Sequence, residues 1–531
     1  MLKRLGCCAL AVLMILAAAC AESGEYVVED VVFHEGWDVR DGNVVFYEIF
    51  VGSFSDSDGD GIGDLRGIID RMDYLNDGDP ASGRSLGVGG IWLSPIFVSP
   101  SYHKYDVTDY YRVDPVFGTN DDLRELAELC HERGVLLIID LPINHTGSQC
   151  RWYRNFCNAH LMQNPSNAYY DFYTWIADGD TVPAGRHFTR TPVSGLLVEA
   201  NFSDSMPELN FDNEAVRQEM LKVARFWLDL GVDGFRFDAA KYIYLGDNPR
   251  SVAFWTWYLE TLRAEYPDMW TVAEVWDSDG ITDQYAVAVN CFNFTTSQAS
   301  GLISETAQAG DVHRWVNYLN SRMTTLSAIP GARNVPFIAN HDTDRAAGYL
   351  PVFNGRMQMA ANLYILSPGS PFIYYGEELG MKGSRGSSNT DANRRLAMAW
   401  GDGDTVADPA GADYDPAKQV QETAADQLQD GTSLFTHYKR LLMIRRANPE
   451  IARGSFTPLT FPGVKVSGFV SEWNGGTVAV LHNTTTRTIT VDLAEATDIP
   501  FAAVTAVAGM GGATLEGTVL TLQGQTSAVL R

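Results

Sequence analysis

Leu136-Leu137-Ile138-Ile139-Asp140-Leu141-Pro142-Ile143-Asn144-His145 is the stretch that decides the fold. It is an almost continuous apolar run closed by two polar residues. A strand with one wet face would alternate polar and apolar; a run like this reads as a strand covered on both faces, in a parallel sheet. Working outward, comparable runs lie at 45–54, 90–96, 136–143, 234–239, 271–275, 291–294, 335–340 and 371–375. Helical patterns fall between them. In 123–133, Leu123, Leu126, Ala127 and Cys130 share one face and Gly134 is the stop. Residues 214–230 read similarly, with Gly231 as the stop. Eight strand–helix alternations predict an α/β fold, a (β/α)8 TIM barrel; on pattern alone a doubly wound open sheet is the alternative.

The chain has 531 residues, 39 basic and 66 acidic, for a net charge of −27. Such a surface repels phosphate backbones, which argues against nucleic acid as a partner. Residues 1–20 read as an export signal: Lys3 and Arg4 precede a short apolar stretch that ends Leu16-Ala-Ala-Ala-Cys20. This end is similar to a bacterial lipobox, which makes Cys20 the lipidation site; a plain secretory signal is the other reading. The expectation is an exported protein, held to a membrane only by that anchor. Cys150 and Cys157 lie in a polar, aromatic loop of an exported chain, so a disulfide is expected between them. Cys130 falls on an apolar helical face, and Cys291 is left undecided.

Residues 21–43 read as a polar lead-in, 44–145 and 206–450 as the barrel, and 146–205 as a long insertion without clear helical periodicity. Residues 451–531 read as an antiparallel β-sandwich, with 477–481 and 488–492 as strands.

Polar residues gather where the apolar runs end, the edge that builds active sites in a barrel. The blocks are Asp140-Leu-Pro-Ile-Asn144-His145, Gly234-Phe-Arg236-Phe-Asp238-Ala-Ala-Lys241, Ala273-Glu274-Val-Trp276 and Asn340-His341-Asp342-Thr-Asp344-Arg345. A carboxylate at the end of a buried strand costs several kcal/mol, on the order given by burial of charge, unless it has a partner or a task. Three such carboxylates on three strands point to catalysis. They also argue against a barrel that only binds sugar.

These four blocks resemble the signature regions of glycoside hydrolase family 13, the α-amylase family. Gly90-Ile-Trp-Leu-Ser-Pro95 and Gly369-Ser-Pro-Phe-Ile-Tyr-Tyr-Gly-Glu-Glu378 agree with it. The resemblance implies Asp238 as nucleophile, Glu274 as general acid/base and Asp342 as transition-state stabiliser. Arg236, on the same strand face as Asp238, keeps the nucleophile ionised, and the apolar setting near Trp276 raises the pKa of Glu274. His145 and His341 are implied to contact the sugar. The loop Ser99-Pro-Ser-Tyr-His103-Lys-Tyr105-Asp106 resembles the one that shapes the donor subsite, giving His103, Tyr105 and Asp106 as substrate contacts. Lys241 is implied to reach the acceptor sugar. Met206-Pro-Glu208-Leu-Asn210 resembles the fifth signature of an intermediary group of exported bacterial α-amylases. The implied substrate is an α-1,4-glucan or maltooligosaccharide. Endo against exo action, and water against sugar as acceptor, stay open. The first strand begins near residue 44, which leaves no room for the N-terminal dimerisation domain of neopullulanases, so a monomer is expected.

A separate cluster, Asp56-Ser-Asp58-Gly-Asp60-Gly61-Ile62-Gly-Asp64, has carboxylates at positions 1, 3, 5 and 9 of a calcium-type loop, with the Ile62 carbonyl at position 7. Position 12 is Gly67, so the loop is EF-hand-like and not an EF-hand. Hard oxygen donors favour Ca²⁺.

Overall fold

A computed structural model describes residues 24–33 and 43–531. The export signal and Cys20 lie outside the described residues. The core is a parallel sheet built from β1 (Phe46–Ile49), β2 (Gly90–Leu93), β3 (Leu136–Leu141), β4 (Gly234–Phe237), β5 (Trp270–Ala273), β6 (Asn290–Cys291) and β7 (Phe372–Tyr374). Its order is β6-β5-β4-β3-β2-β1-β7, and every neighbouring pair is parallel. The predicted run 335–340 forms no extended ladder. It closes the ring by single contacts: Asn293 donates its N–H to the Val335 carbonyl at 2.9 Å, and Phe372 donates to the Pro336 carbonyl at 3.0 Å. Phe337 and Phe372 form an isolated parallel bridge. The barrel is therefore the expected one, with its seventh rung reduced to a bridge.

Aromatic side chains fill the lower barrel. Phe46, Trp92, Phe292, Phe337 and Phe372 form one buried cluster. Gly90 makes room for it, because a Cβ there would stand 2.4 Å from the Phe46 ring. The outer helices follow the sequence signals. Asn120–Glu132 starts three residues earlier than the apolar face suggests, because Thr119 and Asp122 form a capping box. Glu214–Leu230 ends at Gly231, whose φ of 117° suits glycine.

The insertion departs from its reading. It holds a helix, Arg151–Leu161, and a three-stranded antiparallel sheet of Trp175–Ala177, Phe188–Arg190 and Leu196–Glu199. That helix also overturns the disulfide. Cys150 caps its start and Cys157 sits two turns along it, a separation of about 10 Å at ~1.5 Å per residue. A disulfide needs Cα atoms closer than roughly 7 Å. Both are free thiols, as are Cys130 and Cys291.

Beyond the barrel, a five-stranded antiparallel sheet that includes Val466–Trp473, Gly476–Asn483 and Thr526–Leu530 faces a three-stranded one of Ile489–Asp492, Ala513–Glu516 and Val519–Leu522. Leu459, Val470, Leu481, Leu520 and Leu530 pack between them. At the other end, Tyr26 donates its N–H to the Leu428 carbonyl, and Val28 to Gly83, so the described part of the lead-in is docked on the barrel. Among the described residues no helix is long and apolar enough to cross a membrane.

Candidate active site

The C-terminal ends of the strands surround a cavity of about 880 Å³. Its lining includes His103, Tyr105, Asp106, His145, Asp238, Lys241, Glu274, Trp276 and Asp342. Arg236 and His341 are fully buried beneath it. All eleven sequence-predicted catalytic and sugar-contact residues therefore meet at one place.

Arg236 organises the centre. Its side chain is inaccessible to solvent, and its guanidinium lies 5.2 Å above the Trp92 ring that tops the aromatic cluster. Nη1 reaches Asp140 at 2.9 Å and Asp238 at 2.7 Å, and Nη2 reaches Glu274 at 3.0 Å. One cation thus holds Asp238 and Glu274 on adjacent nitrogens. Ala239, in a left-handed conformation at φ 44°, turns its N–H onto Glu274 Oε2 at 3.0 Å. Burial pushes the Glu274 carboxyl up to about 7; Arg236 opposes the rise, and Asp238 and Asp342 add to it. Glu274 is thereby set to carry a proton near neutrality.

Asp342 has the opposite environment. Burial opposes its charge, but His341 at 3.1 Å and Arg395 at 2.9 Å outweigh burial and hold it well below the usual carboxylate range. His341 stacks on Tyr105 with ring centroids 5.6 Å apart. The Tyr105 hydroxyl donates to Asp140 at 2.9 Å. Asp106 is buried and accepts from Ser99 at 2.6 Å and from Ser101. Burial lowers the His103 and His145 imidazoles to about 4, so both rings on the cavity wall are neutral at pH 7. Lys241 donates to the Trp276 carbonyl at 2.9 Å and pairs with Asp277. The Trp276 ring is 41% exposed and backed by Phe294.

Sequence reasoning missed Glu48, Arg395, Phe202 and Tyr242. Glu48 had a signal: a single carboxylate inside the apolar run 44–50. Phe202 is 45% exposed on the cavity wall, with its ring on Tyr242 at 4.6 Å. Its loop carries no pattern that points inward.

The profile described as alpha amylase, catalytic domain, matches residues 48–454. The chain belongs to the α-amylase family. It is similar to alpha-amylase 3 of Dictyoglomus thermophilum, with 33% identity over 457 residues, 83% of this chain and 84% of that one. The trehalose synthase/amylase of Mycolicibacterium smegmatis is 31% identical over 489 residues, 81% of this chain and 80% of that one. A solved Eubacterium rectale structure superposes with a TM-score of 0.84 at 32% identity, over 93% of this chain and 96% of that one. Family membership carries glycoside hydrolase or transferase chemistry with it.

The acidic loop lies apart from the cavity. Asp56, Asp58 and Asp64 bring carboxylate oxygens within 4.8 Å of one another. Asp60 stands outside this group of three, and its carboxylate accepts the Ile62 N–H at 2.8 Å. Asp64 also caps the helix Leu65–Asp70. An all-oxygen set of three carboxylates fits a hard divalent cation such as Ca²⁺.

Proposed function

We propose that the protein is a retaining glycoside hydrolase that cleaves α-1,4-glucosidic bonds in starch or maltooligosaccharides. The observation that carries this is Arg236 bridging Asp238 and Glu274, with the Glu274 carboxyl pushed up to about 7 by burial. An oxygen of the Asp238 carboxylate attacks the anomeric carbon as the bond to the leaving oxygen breaks. Glu274 gives its proton to that oxygen. Water then attacks the same carbon, Glu274 takes the water's proton, and Asp238 leaves as a carboxylate. Asp342, kept anionic by His341 and Arg395, binds sugar hydroxyls and is read as the stabiliser of the developing oxocarbenium ion.

The test is reducing-sugar release from soluble starch. Asp238→Asn should lower kcat by about a thousandfold or more while the fold stays intact. Equal release by wild type and variant would remove the nucleophile assignment.

A second reading has one specific support. Phe202 and Trp276 present apolar faces in an otherwise polar cleft. Such faces suit a sugar acceptor, so transfer to a second oligosaccharide can compete with water. A product time course on maltoheptaose separates the cases: products longer than the substrate mark transfer, and glucose alone marks exo action.

The acidic loop is read as a structural Ca²⁺ site, the chain as an exported monomer, and Cys20 as its lipid anchor.

A further inference from the structure

Glu48 sits on β1 with 2% of its surface exposed, in register with Trp92 on β2 and Tyr374 on β7. A lone carboxylate there is costly without a counter-charge. Its Oε1 lies 2.5 Å from His341 Nδ1. The other ring nitrogen, Nε2, lies 2.7 Å from the Tyr105 hydroxyl and 3.1 Å from Asp342 Oδ2. Both ring nitrogens thus face a carboxylate, Glu48 at Nδ1 and Asp342 at Nε2, and a neutral imidazole carries only one N–H. Two carboxylate partners call for the doubly protonated ring.

We propose that Glu48 is a positioning residue for the glycosidase reaction: a buried counter-ion that keeps His341 a cation with two N–H donors. Through Nε2 this cation fixes Tyr105 against the donor sugar and keeps Asp342 charged. The assignment rests on the glycosidase reading above. The charged and titratable groups around the ring are Glu48 and Tyr374 below, Tyr105 and Asp140 at one side, and Asp342 and Arg395 at the other. Arg236 adds a further positive charge beyond Asp342. Burial works against the imidazolium, and Asp342 and Glu48 together outweigh it, raising the ring to about 10.

The experiment compares wild type with Glu48→Gln and Glu48→Asp. The glutamine keeps an acceptor for Nδ1 and removes only the charge; the aspartate keeps the charge. Ring-nitrogen NMR of His341 without substrate should show two protonated nitrogens in wild type at pH 8. Glu48→Gln should lose one of those protons by that pH, and Glu48→Asp should retain both. In kinetics, Glu48→Gln should lower kcat by about tenfold or more with KM changed by less than about threefold, the pattern of lost transition-state stabilisation. Above neutral pH, log kcat/KM should fall with the same slope in wild type and Glu48→Asp, where His341 keeps both its protons. In Glu48→Gln the slope should be steeper by about one, because His341 must then hold a proton as well. A singly protonated His341 in wild type at pH 8 would overturn the assignment. So would a Glu48→Gln enzyme with unchanged nitrogen signals and the wild-type slope. An inactive wild type would sink the glycosidase reading instead, leaving the substrate-free signals to decide the role of Glu48.

Discussion

The barrel mouth and the acidic loop solve the same problem in opposite ways. Each gathers carboxylates close together. In the mouth, Arg236, His341 and Arg395 stand among Asp140, Asp238, Glu274 and Asp342, so the protein supplies its own cations. In the loop, Asp56 is met by the N–H groups of Asp58, Gly59 and Gly61 and by the Thr405 hydroxyl, and Asp64 by the N–H groups of Ser57 and Gly67. Dipoles orient these acids without cancelling their charge. The comparison teaches that the mouth carries its counter-charges within the fold, while the loop meets its carboxylates with dipoles alone, the basis for the proposed Ca²⁺ site.

The sharpest way to break that contrast is Arg236→Gln. Removing a buried cation strands several carboxylates, and the loss should be about 3–5 kcal/mol in denaturant unfolding. A shift below about 1 kcal/mol would mean that the mouth does not depend on its own cations. For the loop, a chelator should lower the melting temperature while leaving the pH–rate profile in place. The expected loss is about 3 kcal/mol if Ca²⁺ stands near a hundredfold over its dissociation constant. An unchanged melting temperature in chelator would count against the loop as a metal site.

Acidity gives a smaller effect, confined to the mouth. On the proposed mechanism Glu274 must hold a proton while Asp238 is a carboxylate, and the Glu274 carboxyl is raised to about 7, so activity should be greatest just below that value. It should then fall about tenfold per pH unit above it. A plateau to pH 9 on a poor leaving group would remove the acid/base role. Smallest of all, a reducing agent should leave the melting temperature unchanged, since the four described cysteines are free. A drop on reduction would restore the bond between Cys150 and Cys157.

Legibility followed burial. The barrel strands announced themselves because both faces are covered, so their residues are apolar without alternation. The run 335–340 looked the same in composition, but its backbone makes only flanking single bonds, which composition does not report. The helix Arg151–Leu161 was hidden because only Tyr153, Phe156 and Ala159 are buried on it and no side chain caps its start. That error produced the disulfide. At the site, the carboxylates after β4 and β5 and after the 335–338 rung were legible, because polar residues ending apolar runs stand out. Glu48 was passed over although its charge breaks the apolar run 44–50, because it lies inside the run and not at its end. Arg395 was not legible, because it comes from a segment after β7 that carries no strand pattern.

The unpaired thiols have a practical consequence. Cys130 and Cys291 are buried, and burial pushes both thiols far above their ordinary range, so neither offers a reactive thiolate. Cys150 is buried as well, which leaves Cys157 as the one partly accessible sulfur among the described residues. A polypeptide starting after residue 20 can therefore mature in a reducing cytosol without an oxidase; burial raises the Cys157 thiol as well, so labelling it on the insertion calls for alkaline pH.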